Sequence, residues 1–122
     1  MDQRMIIEMG MGNDLHGMDY QKAAARAIED AFRHSTLPIF ATLDIPTDTM
    51  RVQVTVGVQE PDKIDAKALA AELPRGRAEV RAVKGGMNTQ SGDQIHVVAT
   101  AAIEAYLPDL AGKYTCATQD AT

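Results

Sequence analysis

Arg51-Val52-Gln53-Val54-Thr55-Val56-Gly57-Val58-Gln59 alternates valine with polar or small residues along its whole length. A period of two puts Val52, Val54, Val56 and Val58 on one face of a strand and Arg51, Gln53, Thr55 and Gln59 on the other. Such a half-apolar strand belongs to a layered domain in which helices cover the apolar face. Pro61 stops it. Asp65, flanked by Ile64 and Leu69 at staple positions, caps a short helix reaching Leu73, which Pro74 and Gly76 end. Arg77–Lys84 reads as the next strand, closed by Gly85 and Gly86, and a polar loop follows to Asp93. Residues 95–107 fit two periods. Their odd positions are all apolar, as in a strand, yet Ile95, Val98, Ala99, Ala102, Ile103 and Tyr106 also make a helical stripe. The β-branched Ile95, Val97 and Val98 favour a strand at the start, and the alanines beyond leave 100–107 open to helix.

Working back toward the first residue, 4–9 (Arg-Met-Ile-Ile-Glu-Met) form a first strand that glycines break from Gly10 onward. Asp19 caps a helix over 20–34 with Tyr20, Ala24, Ala27, Ile28 and Ala31 inward. Lys22, Arg26, Asp30 and His34 make its polar stripe. Residues 35–50, with Pro38 and Pro46, form a connection, and 111–122 a tail without apolar period. The order β-α-β-α-β-β predicts one α+β domain over 1–110: a two-layer fold with a four-stranded mixed sheet and two helices on one face. Ile6, Val83 and Val98 are expected on the opposite face, where a homo-oligomer is the economical cover.

The 122-residue chain is long enough to bury a core unaided. A net charge of −5 with no basic run argues against nucleic acid or an anionic membrane as partner. The single cysteine, Cys116, rules out a disulfide framework within the chain. No apolar run is long enough for a membrane span and no signal-peptide pattern is present, so a cytoplasmic protein is expected.

Between the first strand and the first helix lies Gly10-Met11-Gly12-Asn13-Asp14-Leu15-His16-Gly17. In extended backbone Asp14 and His16 project to one side and could share a divalent metal, or act as a hydrogen-bonded acid/base pair. The alternative is structural: the glycines permit a tight turn, Asp14 bonds loop amides and His16 packs. Gly10, Gly12 and Gly17 could cradle an anionic group, with Lys22 nearby on the helix, although Gly-x-Gly lacks the third glycine of a dinucleotide fingerprint. Lys84 beside Gly85 and Gly86 is a second glycine-rich strand end and an anion-contact candidate. Glu60, at the end of the valine strand, completes the set.

Ile7-Glu8-Met9-Gly10-Met11-Gly12-Asn13-Asp14-Leu15-His16-Gly17, with Lys22-Ala23-Ala24, Arg26-Ala27, Gly57-Val58-Gln59-Glu60-Pro61 and Val83-Lys84-Gly85-Gly86, resembles a family of conserved hypothetical proteins of bacteria and plants marked by Gly-x-Gly-x-Asp-x-His-Gly. The resemblance runs over about residues 4–108. The Gly-x-Asp-x-His element is more distantly similar to methylerythritol cyclodiphosphate synthase. That similarity implies a chorismate-mutase-like fold, a trimer, and Asp14 and His16 as metal ligands; the synthase's other ligands have no counterpart here. Two functions remain open: an enzyme on a small polar metabolite at a subunit interface, with Asp14, His16 and Lys84 as catalytic candidates, or a non-catalytic small-molecule binding or assembly protein whose loop is structural.

Overall fold

The computed structural model describes residues 2–33, 46, 49–73 and 77–108. Within these, the chain runs β1 (Gln3–Asp14), α1 (Tyr20–Arg33), β2 (Arg51–Val58), a 3-10 turn (Pro61–Lys63), α2 (Ala66–Ala71), β3 (Arg77–Lys84), β4 (Met87–Ser91) and β5 (Gln94–Leu107). The domain is α+β with two α-helices and one mixed sheet, in the order β1-β5-β2-β3 with β4 paired to β5. Five strands replace the expected four. Most of 35–50, His34, Pro74, Gly76, and the tail 111–122 with Cys116 lie outside the described residues.

The valine alternation behaves as its period demands. Val52, Val54, Val56 and Val58 are all buried, each contributing about 1.5–3 kcal/mol by leaving water. α1 buries Tyr20, Ala23, Ala24, Ala27, Ile28 and Ala31 against them. Asp19 Oδ1 accepts the N–H of Lys22 at 3.0 Å and so caps that helix. Asp65 Oδ1 does the same for Ala68 N–H at 3.1 Å, starting α2, whose Leu69 is buried.

β5 is strand throughout, which settles 100–107 against helix: it pairs antiparallel with β1 along one side and with β2, then β4, along the other. Val97, Ala99, Ala101, Ile103, Ala105 and Leu107 are its buried side. β4 stands where a polar loop was expected. Its five residues are exposed, so no burial pattern marks them, and the two-residue turn Gly92-Asp93 with Gly92 at φ 60° folds them onto β5. β2 stops where β4 begins on the same edge of β5, since Gly57 pairs with Thr100 and Met87 with Val98. The crossing runs through Gly85 and Gly86. Gly86 has φ 60° and no room for a Cβ against the Val98 carbonyl, so glycine is required there.

β1 departs most from expectation. It runs unbroken through Gly10 and Gly12 to Asp14. A Cβ on Gly10 would strike the Ala27 carbonyl and Ala31 amide, and one on Gly12 the Ala27 amide and Ala23 carbonyl. The glycines are thus the seat on which α1 lies, matched by alanines at every fourth position of the helix. Residues sharing that face, Glu8, Gly10, Gly12 and Asp14, stand opposite the core positions Ile103, Ala101, Ala99 and Val97. Ile7, Met9 and Met11 therefore point away from the core, and a register shift between Arg4 and Ile6 turns Ile6 onto it, contrary to the expected outward Ile6. Val83 and Val98 take the outward face as expected.

Candidate functional site

Asp14 is the last residue of β1 on the helix-facing side and is 3% exposed. Its Oδ2 accepts the Asp19 N–H at 2.8 Å, and its Oδ1 lies 3.9 Å from both Lys22 Nζ and Arg26 Nη1. The carboxylate closes the loop from 14 to 19 and presents negative charge to the start of α1. Gly17 at φ 91° and Met18 at φ 53° make the reversal. His16 is exposed; its Nδ1 pairs with Gln94 Oε1 at 2.9 Å, while His96 Nδ1 meets the Leu15 carbonyl at 3.2 Å. Both imidazoles stitch the loop to the β4–β5 hairpin.

Asp14 and His16 consequently have separate partners, and no hydrogen bond or ion pair joins them. Two cations beside Asp14 oppose a divalent ion there, and among the described residues no three His, Cys, Asp or Glu side chains are grouped to hold one. The pair does not fit a shared metal. Lys22 reaches the loop only as a partner of Asp14. Gly10 and Gly12 are occupied by helix packing, leaving Gly17 the exposed glycine of the three.

Lys84 ends β3 in an exposed position, in register with Val58. Gln59 Nε2 donates to the carbonyls of Gly85 and Gly86 at 3.1 and 3.2 Å, and the Gly85 N–H donates to Val58. These glycine groups are spent on the crossing. Glu60 lies 3.6 Å from Lys63 Nζ, and the buried Tyr20 hydroxyl accepts from Asn88 Nδ2 at 2.7 Å. Burial raises the Tyr20 phenol above its ordinary pKa, Asn88 works against that, and Glu60 adds to it. Neither Glu60 nor Lys84 makes a hydrogen bond or ion pair with Asp14 or His16.

The sheet face away from α1 was not foreseen as the main feature. In-register neighbours form rows across it: Arg4, Tyr106, Arg51 and Arg77; then Ile7, Glu104, Gln53 and Glu79; then Met9, Ala102, Thr55 and Arg81; then Met11, Thr100, Gly57 and Val83. The basic row is balanced in part by the acidic one beside it and in part by Asp2. Arg4 pairs with Glu104 at 3.1 Å, Arg51 with Asp2 at 2.7 Å, and the Arg51 guanidinium lies 4.0 Å from the Tyr106 ring centre. The hydrogen bond from Tyr106 and then that from Arg4 hold Glu104 below its usual carboxylate range. The other end is apolar: Met9 is 64% exposed, Met11 56% and Met87 54%, with Ile7 and Val83 at 40%. A hollow of about 300 Å³ opens there between Met9 and Val83. Glycines at alternate positions 10 and 12 were the signal for it, because the glycine face of a strand admits a helix and sends its apolar alternates outward.

The outer edge of β1 is closed in part to strand pairing. Glu8 Oε1 accepts Met9 N–H at 3.2 Å, Asp30 Oδ2 accepts Met11 N–H at 3.0 Å, and Arg26 Nη1 donates to the Asn13 carbonyl at 2.6 Å. Side chains thus take the backbone groups that another strand would use.

The family described as Conserved hypothetical protein (Lin0512_fam) matches residues 4–105. A crystal structure of a FtsZ-like protein of unknown function from Nostoc punctiforme superposes with a TM-score of 0.78 at 30% identity, covering 88% of this chain and 98% of that one. No curated protein matches. No helix among the described residues is long and apolar enough to cross a membrane.

Proposed function

The chain belongs to the conserved hypothetical Lin0512_fam family, and from that premise we propose that it is a non-catalytic assembly protein that packs its open sheet face against a second copy of itself. The observation carrying this reading is the inverted phase of β1, which seats glycines under the helix and turns Ile7, Met9 and Met11 outward. A monomer gains nothing from that arrangement, since contiguous exposed apolar surface is a liability without a partner. Sheet stacking gives such a face a core about 10 Å thick.

A like chain fits because the exposed end of the face is apolar, while Arg4 and Arg51 at its other end are already paired with Glu104 and Asp2. The partly occupied β1 edge favours contact through the face over strand pairing at that edge. In this reading the 10–17 loop serves folding, with Asp14 as its clasp. The mass of the native chain by sedimentation velocity at micromolar concentration tests it, beside a Met9→Lys/Met11→Lys variant. An oligomer that the two lysines dissociate, with unchanged circular dichroism, is expected; a monomeric native chain, or an oligomer indifferent to the lysines, overturns the reading.

A further inference from the structure

Resting on that face-to-face reading, we propose that the hollow in the open face binds a small apolar carboxylate, roofed by the second copy. Its lining includes Met9, Thr55, Gly57, Val83, Gly85 and Thr100. Gly57 and Gly85 lie backbone to backbone, so that a Cβ on either would come within 3.2–3.3 Å of the other's Cα. This leaves the floor bare at Gly57 and Gly85, with small side chains from β5 beside them. Met9 from β1 and Val83 from β3 stand as apolar walls.

Polarity is confined to one side. Thr55, which lines the hollow, accepts through Oγ1 from Arg81 Nε at 3.0 Å, and this sets the guanidinium beside the hollow and within electrostatic reach of Glu104. Arg81 makes no ion pair among the described residues, and the Thr100 hydroxyl, beside Gly57, makes no hydrogen bond there. One cation and one hydroxyl above an apolar basin match a carboxylate carrying a hydrocarbon body, because a planar guanidinium engages carboxylate through charge-assisted bonds. A phosphate is a poorer match. It would call on free backbone donors, and the Gly85 N–H at this site is already given to Val58.

Calorimetric titration of the full chain with hexanoate, and with hexanol as its neutral counterpart, tests the assignment. Hexanoate is expected to bind and hexanol to bind about tenfold more weakly, the size of one charge-assisted hydrogen bond. Arg81→Gln should weaken hexanoate about tenfold and leave hexanol unchanged; Val83→Phe, filling the mouth, should remove both. An oligomeric chain that binds no hexanoate overturns the inference and leaves the assembly reading standing. Equal binding of the two probes, or no effect of Arg81→Gln, overturns the carboxylate assignment. A monomeric chain overturns the assembly reading and this inference with it.

Discussion

The Oδ2 atom of Asp14 accepts the backbone N–H of Asp19 at 2.8 Å, tying the end of β1 to the residue that caps α1. Asp14→Ala removes a buried acceptor and strands that amide, so it should cost about 1–3 kcal/mol. His16→Ala, at an exposed position, should cost within about 0.5 kcal/mol. Urea denaturation of both variants reads the difference; equal, small losses would return the loop to a functional role.

Gly12→Ala should be among the most damaging single substitutions, at about 3 kcal/mol. Its Cβ meets backbone atoms of Ala23 and Ala27, which no rotamer change can move aside, so α1 itself must lift. Gly92→Ala meets nothing within 4 Å and should cost only the strain of its positive φ, about 1 kcal/mol. Thermal unfolding of the pair checks the order.

At the alkaline end, Tyr20 contributes to stability, as does Tyr106, whose phenol is raised chiefly by its hydrogen bond to Glu104. The folded pKa of Tyr20 is raised above the ordinary 10.0, chiefly by desolvation, so its contribution is complete below that value and is lost as pH rises through the folded one. The native chain should lose urea resistance above about pH 10, the reference for tyrosine, and Tyr20→Phe should flatten that fall. Spectrophotometric titration of tyrosinate during unfolding supplies the check.

At the acid end the sign reverses. Glu104 is held below its ordinary 4.5 by the hydrogen bonds from Tyr106 and Arg4. Its stabilisation is present above 4.5 and disappears as pH falls through the lowered folded value. Glu104→Gln should show a shallower acid decline in its denaturation midpoint. A parallel decline in variant and native chain would count against the assignment.

Periodic burial explains what the sequence made legible. The valines of β2, the inner face of α1 and the Asp65 cap each follow from local spacing, and the structure has all three. β4 was invisible because Met-Asn-Thr-Gln-Ser buries nothing; only Gly92-Asp93, a hairpin dipeptide, announced it. The side chains of Asp14 and His16 share a side only while the backbone stays extended, and the strand ends at Asp14, so the expected pair dissolves into two contacts. Apolar residues do not mark the core side of β1. On this strand the absence of a side chain marks it.

β5 is the last strand in the described chain, yet it is the one on which β1, β2 and β4 all pair, with Gln3 opposite Leu107. No part of the sheet except the β2–β3 pair can form before residues 94–107 are available. During synthesis β1 must wait, with the backbone groups that β5 will take unpaired, until nearly the whole described length has left the ribosome. The domain is therefore expected to fold in one late step, once β5 is available, rather than progressively. High sequence separation of contacts makes that step slow and gives chaperones their period of access.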